Sequence, residues 1–360
     1  MTGTADTLVL DSIQRIAVFR ALQLGDLLVA VPALRALRAR FPSAEITLIG
    51  LPWAREFAQR FQHCVDRFVE FAGYPGIDEL PVDVQRTEQF IAAQRKYHYD
   101  LAIQMHGSGR TSNPFVHESG ARITVGYYEG VRPETLTLGA LYPHDQHEIY
   151  RNLGLISLLG AAKPADPRLE YPLSEEDHEE AACLLRSLSD ARRPWIGIHS
   201  GSRPPARRWP AEYFATVADT LSQRLGAQIV LTGGPGEEAI AEAVLERMQT
   251  PALNLAGRTS LGSLAALISR LDLFISNDTG PAHLAHAINR PSITLFGPAE
   301  FQRWAPLDQT LHAAVRHPVP CSPCDYWTCP IDHRCLRRIH PYEVLDVAYR
   351  LTASQKLERS

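Results

Sequence analysis

The sequence predicts two α/β domains with a cleft between them, each a parallel, doubly wound sheet. Three observations carry that prediction. Short apolar runs alternate with helical patterns along both halves, as in βαβ architectures. The stretch KPADPRLEYPL (163–173) is Pro-rich, has no period, and separates the halves. The chain has 360 residues, more than one ordinary domain holds. The boundaries follow as 1–165, 166–338 and a terminal helical segment, 339–360.

RIAVFR (15–20) is the first predicted strand, followed by the loop ALQLGD and a helical pattern to Arg40. Pro32 falls inside that pattern, so the first turn is kinked or the regular helix starts near Val31. EITLIG (45–50) is a second strand, PWAREFAQRF (52–61) a helix and VDRFVEF (65–71) a short strand. Residues 82–97 read as a helix, DLAIQMH (100–106) as a strand and HGSGRTSN (106–113) as a glycine-rich turn into a helix. ARITVGYY (121–128) is read as the last strand of this half, and HEIYRNLGLISLLG (147–160) as a helix. SEEDHEEAACLLRSL (174–188) opens with a Ser cap and acids in its first turn, a strong helix start.

The second half repeats this order. WIGIHS (195–200) and QIVLTGG (228–234) are strands, each followed by a loop and a helix. SLGSLAALISRL (260–271) is a helix leading into the apolar run LDLFI (271–275), and SITLFGP (292–298) is read as the final strand. HPYEVLDVAYRLTA (340–353) is a helix.

Composition sets limits. Hydrophobic residues make up 45% and charged residues 21%, within the range of water-soluble globular proteins. A net charge of −4 argues against a general nucleic-acid binder. The apolar run LLVAVPAL (27–34) is too short to span a bilayer. MTGTADTLVLDS lacks a basic flank and an apolar core, so no signal peptide is read there and a cytoplasmic location is expected. The six cysteines are then expected to be reduced thiols or metal ligands.

The richest stretch is SNDTGPAHLAHA (276–287): strand, tight turn, helix. Gly280 lets backbone approach a ligand, and the helix start offers unpaired N–H groups and the positive end of a dipole to an anion. Asp278, Thr279 and His283 stand around it. The plainer reading is a capped helix with Pro281 in its first turn. GSRPPARRWP (201–210) adds Arg203, Arg207 and Arg208 without a balancing acid, either a solvated basic loop or a phosphate-binding fork. In GGPGEEA (233–239), Glu237 can accept from ribose hydroxyls or simply favour a helix start. The Gly-rich dinucleotide fingerprint and the P-loop are absent, as is a D-x-D triplet for a divalent ion. A nucleotide diphosphate neutralised by Arg and a helix N-terminus, with no cofactor required, is the reading these loops favour. Asp26, in LGD after the first strand, is an N-cap or a general base facing the cleft.

LGDLLVAVPALRALRARFP, GSRPPARRWP, LTGGPGEE, AGRTSLGSLAALI and NDTGPAHLAHA, in that order, resemble the bacterial ADP-heptose:lipopolysaccharide heptosyltransferases of glycosyltransferase family 9, over roughly residues 15 to 350. The resemblance implies a B-type glycosyltransferase fold of two Rossmann-like domains. The first would bind a lipopolysaccharide-core or related glycan acceptor, the second an ADP-sugar donor, and the last helix would cross back to the first domain. It implies Asp26 as base, and a donor site of Arg207, Ser202, Asp278, Thr279, Gly280 and His283, with Glu237 at the ribose and Thr259 near adenine. Lys is the usual residue at the position of Arg207, so charge is kept and geometry is not. His106, Ser108 and Arg110 could meet the acceptor, or belong to an ordinary turn. Arg35, Arg38 and Arg40 form a solvated face or a peripheral contact with the inner membrane. The implied chemistry is inverting heptosyl transfer. Transfer with another donor or acceptor, a non-catalytic nucleotide-sugar binder, and a nucleotide-sugar epimerase of the same fold are the alternatives.

Cys321-x2-Cys324-x4-Cys329-x5-Cys335 offers thiolates at spacings that a structural zinc could use, with His333 or His340 as alternates; packed free thiols are the other reading. Cys64 and Cys183 are isolated and read as core.

Overall fold

The computed structural model describes residues 10–188 and 194–358. Residues 1–9, most of the stretch read for a leader, lie outside them. The chain divides into two compact units, Met1–Arg168 and Leu169–Ser360.

The first unit contains β1 (Arg15–Phe19), α1 (Leu24–Leu28), α2 (Val31–Arg40), β2 (Glu45–Gly50), α3 (Ala54–Arg60) and β3 (Arg67–Glu70). It continues with α4 (Val84–Tyr97), β4 (Leu101–Gln104), α5 (Ser112–Glu118), β5 (Ile123–Tyr128), β6 (Leu138–Leu141) and α6 (Glu148–Ser157). Its sheet runs β3-β2-β1-β4-β5-β6, all parallel, with Ile16 paired to Ile46 on one side and Leu101 on the other. β1 and β4 are central and covered on both faces, which is why they are nearly continuous apolar runs. An aromatic cluster of Phe19, Phe71 and Phe115 packs below β1, its rings 4.4–5.2 Å apart. Pro32 sits in the first turn of α2, where its missing N–H costs nothing, so the predicted helix divides just before Val31.

The second unit contains α7 (Glu175–Leu185), β7 (Trp195–His199), α8 (Ala211–Leu225), β8 (Gln228–Thr232), α9 (Glu238–Leu245), β9 (Ala252–Asn254) and α10 (Leu261–Arg270). Then come β10 (Leu273–Asn277), α11 (Gly280–Ala287), β11 (Ser292–Phe296), α12 (Phe301–Trp304), β12 (His312–Arg316), α13 (Arg334–Arg337) and α14 (Pro341–Glu358). The parallel order is β12-β11-β10-β7-β8-β9. Counted from its own first strand, each sheet therefore has the order 3-2-1-4-5-6. In such a sheet the connections diverge to opposite faces between strands 1 and 4, leaving a crevice at their carboxyl ends. That point lies between β1 and β4 in one unit and between β7 and β10 in the other.

Three strands escaped the sequence reading: β6, β9 and β12. The halves do not end at 128 and 298 but each gains an edge strand, β6 and β12. All three are edge strands of three to five residues, partly exposed, and so lack the apolar run that marks a buried strand. Cys183 corrects another expectation: it is exposed, because α7 buries the stripe Asp177, Ala181 and Leu185, and position 183 lies off it. Helix α14, implied by the resemblance to return to the first domain, packs against α8 and against β10, β11 and β12, with Val344 and Ala348 in the second unit's core.

Candidate active site

In the second unit the two loops at the switch point are tied together by one buried amide. Asn277, at the end of β10, accepts the Trp209 N–H (2.9 Å) and donates to the carbonyls of Ser200 (2.8 Å) and Gly201 (3.3 Å) after β7. Trp209 is pinned from the other side, its indole N–H reaching the Ile339 carbonyl at 3.0 Å. The loop 201–209 is thereby fixed beside the turn at Asp278, and an Arg207 Nη1 lies 3.2 Å from Asp278 Oδ2. Asp278 is buried. Thr279 takes the N-cap position of α11 with extended backbone, but its side chain makes no capping bond, so it leaves the helix's first amides to other partners. His283 is buried in the first turns of α11, its ring 6.0 Å from Trp304 and 5.6 Å from His286.

The three arginines of the loop part company. Arg207 meets Asp278. Arg208 Nε donates to the Ser202 carbonyl at 2.8 Å, and Ser202 itself is buried. Arg203 lies over the Trp327 ring at 5.8 Å, and the Trp327 carbonyl accepts the Ala206 N–H at 3.1 Å.

Glu237 follows β8 and turns inward. Its Oε2 accepts the Gly234 N–H at 2.8 Å and lies 3.3 Å from Nε2 of the buried His199, whose Nδ1 meets Thr232 Oγ1 at 3.1 Å. Burial pushes the Glu237 carboxyl up, but the hydrogen bond and charge of His199, the Gly234 N–H and Arg208 outweigh it, and the net displacement is downward. The Glu237 carboxylate packs directly over Gly201, where an added Cβ would force it to move. Thr259 is half-buried in the loop between β9 and α10.

The first unit builds a matching arrangement at its own switch point. Asp26 stands in the first turn of α1, 21% exposed, its Oδ2 accepting the Gln23 N–H at 3.3 Å. His106, after β4, stacks on Phe19 with 5.0 Å between ring centres, and its Nε2 lies 3.4 Å from Glu79. The carbonyl of His106 is held by Ser112 Oγ at 2.7 Å and by Gln104. Gly109, at φ +91°, turns the chain where a Cβ would strike Asn113 and the Tyr127 carbonyl. Ser108 is half-buried and Arg110 exposed. Three residues that the sequence did not flag join Asp26: Arg20, Glu148 and Arg151, all buried. Glu148 and Arg151 read only as part of a helix, and Arg20 only as the polar end of a strand.

Among the described residues no cysteine forms a disulfide. Cys329 Sγ accepts the His333 N–H at 3.3 Å. Burial lifts the Cys335 thiol to about 11, with the nearby Cys329, Cys321 and Cys324 adding to the rise and the Leu336 N–H opposing it. Among the described residues no three of these sulfurs lie within 4.8 Å of one another.

Residues 88–334 match glycosyltransferase family 9 (heptosyltransferase). The chain belongs to that family. Its family 9 relatives include the lipopolysaccharide heptosyltransferase 2 of Escherichia coli, 27% identical over 288 residues, 76% of this chain and 80% of that one. The lipooligosaccharide heptosyltransferase 2 of Campylobacter jejuni is 32% identical over 166 residues, 45% of this chain. The chain spans about half, 52%, of that relative's length. Among solved structures, an E. coli ADP-heptose lps heptosyltransferase II has the same fold, with a TM-score of 0.75 at 22% identity over 96% of this chain and all of that one. The family 9 fold is thus the B-type glycosyltransferase arrangement of two parallel-sheet units.

Proposed function

We propose that this family 9 chain is an inverting glycosyltransferase that moves a heptose from ADP-heptose to a hydroxyl of a lipopolysaccharide core. The observation that carries the reading is the Arg207–Asp278 pair beside the start of α11, at the switch point of a sheet whose family relatives are named heptosyltransferases. Arg207 and the α11 amides hold the ADP phosphates and take up the charge that develops as the donor bond breaks. Ser202, Thr279, Gly280 and His283 shape that site, with Glu237 and Thr259 toward the nucleoside. Asp26 accepts the proton of the acceptor hydroxyl as its oxygen attacks the anomeric carbon, which passes through an oxocarbenium-like state. His106, Ser108 and Arg110 contact the acceptor. No cofactor takes part in this scheme.

The reading places the chain in the cytoplasm, meeting a lipid-borne acceptor at the inner face of the inner membrane. Among the described residues no helix is long and apolar enough to cross a membrane, so that contact would be peripheral.

The test is a donor panel with a mixed lipopolysaccharide-core acceptor, read by release of ADP or UDP, on the native chain and on Asp26→Asn. ADP release with ADP-heptose is expected. Asp26→Asn should lower kcat by ~10²–10⁴-fold with ADP affinity nearly unchanged. Release of UDP alone would reassign the donor, and near-normal turnover of Asp26→Asn would remove that residue from the role.

A further inference from the structure

A charged side chain in a dry interior needs partners, and Arg20 makes four hydrogen bonds and lies within ion-pair reach of two carboxylates. It is 2% exposed, one residue beyond β1. Its Nε donates to the Asp26 carbonyl at 2.8 Å. Nη1 donates to the Met105 carbonyl after β4 and to Asn152 Oδ1 at 3.2 Å. Nη2 donates to Glu148 Oε1 at 3.2 Å and lies 3.9 Å from Asp26 Oδ1. Glu148 is gripped on its other oxygen by Arg151, whose guanidinium is fastened to the carbonyls of Pro143, His144 and Gln146. Asn152 also reaches the Val29 carbonyl at 3.3 Å, on the turn after α1. One guanidinium thus ties together the ends of both switch-point strands, the backbone of Asp26 and the carboxylate of Asp26.

We infer that Arg20, clamped by Glu148, is the positioning residue that aims the Asp26 carboxylate at the acceptor hydroxyl and keeps it a usable base. This rests on Asp26 being the base. The charges explain the design. Arg20 alone beside Asp26 would hold the carboxylate ionised but make it a poor proton acceptor. Glu148, 3.2 Å from the same Nη2 and shared with Arg151, is the closer counter-ion, so Asp26 at 3.9 Å faces a partly neutralised cation. When the acceptor O–H bond breaks, its proton moves to Asp26, its electron pair goes to the new glycosidic bond, and ADP departs with the pair of the broken one. Asp26 is then neutral, and Arg20 still has Glu148. Through the step Glu148 keeps a carboxylate against both buried guanidiniums, Arg20 and Arg151, where a cation with no carboxylate beside it would be costly. The other titratable group tied to this cluster is Arg151 on α6, which reaches it through Glu148.

Two substitutions should move the acid limb of kcat/KM in opposite directions. Arg20→Met removes the cation, and the limb should rise by about one unit; Glu148→Gln removes the competing anion, and the limb should fall by roughly half a unit to one. Arg20→Lys, which keeps charge but not the fork, should lower kcat by ~10–100-fold with ADP affinity within about twofold. A merely structural role would lower the fraction folded and would not split the two limbs. Limbs that stay put, or move the same way, overturn the inference, as does a loss of ADP affinity matching the loss of kcat. If Arg20→Met does not fold by circular dichroism, Glu148→Gln decides alone, and an unmoved limb overturns it. Asp26→Asn separates the levels: near-normal turnover there sinks the base assignment and this inference with it, whereas collapse there with unmoved limbs sinks only this one.

Discussion

Arg207 is 35% exposed while its partner Asp278 is 5% exposed, and the 3.2 Å between them sets what each can do. In the proposed donor site Asp278 would hold the Arg207 guanidinium in place. The fork leaves further N–H donors for an anion. Truncating Arg207 removes those donors and also leaves the Asp278 charge facing the diphosphate. Arg207→Ala should weaken ADP binding by roughly 10–100-fold, as loss of a charge-assisted hydrogen bond does. Adding Asp278→Asn should restore part of it, a non-additivity that titration calorimetry on the single and double variants would read. Equal ADP affinity for the native chain and Arg207→Ala would remove the residue from the donor site. The sequence exposed Arg207 as a basic residue in a loop after a strand. Only the family resemblance singled out Arg207; the loop's own residues did not separate it from Arg203, which turns to Trp327, 124 positions away. Arg20 was harder still: its partners Asn152 and Glu148 are 132 and 128 positions distant.

At the scale of elements, what was legible was what burial makes periodic. The central strands appear as apolar runs, and the capping box at Ser174 and Asp177 forms as its letters suggest. Strands β6, β9 and β12 were lost because an edge strand is half-covered and its pattern is diluted. β12 nonetheless carries a pH-dependent contribution. His312 is buried, its Nδ1 3.0 Å from Ser292 Oγ and its ring 4.6 Å from His286. Burial depresses its imidazole from 6.5 to about 4, against a smaller opposing pull from Asp308. The unfolded chain therefore binds a proton below about 6.5 that the folded strand refuses until about 4. Stability from this group is fully present above pH 6.5 and is lost as pH falls through that window, by on the order of 3 kcal/mol at most. Denaturant melts of the native chain and His312→Asn should differ in slope between pH 6.5 and 4, the variant losing less; parallel slopes would exclude His312 as the source.

Across the whole molecule, one topological rule accounts for where the candidate residues fall. Asp26 and His106 follow β1 and β4; the Arg207 loop and the Asp278 turn follow β7 and β10. Each pair stands at a 3-2-1-4-5-6 switch point, and each is cross-tied by one buried polar side chain, Arg20 in the first unit and Asn277 in the second. The alternation of strands and helices was enough to anticipate two such sheets, but not their strand order, since order is written in long-range pairings. The division of labour has a direct consequence for the full chain. ADP should bind through the second unit, so its effect on local opening should be confined to segments that touch it. At about 100 times its dissociation constant a ligand adds about 2.7 kcal/mol to any opening that releases it, a ~100-fold slowing of hydrogen exchange. That slowing is expected across 201–209 and 278–284, with 20–28 and 104–113 unchanged by ADP alone. Protection by ADP centred on 20–28 would instead put the nucleotide beside Asp26 and reverse the assignment of donor and acceptor to the two units.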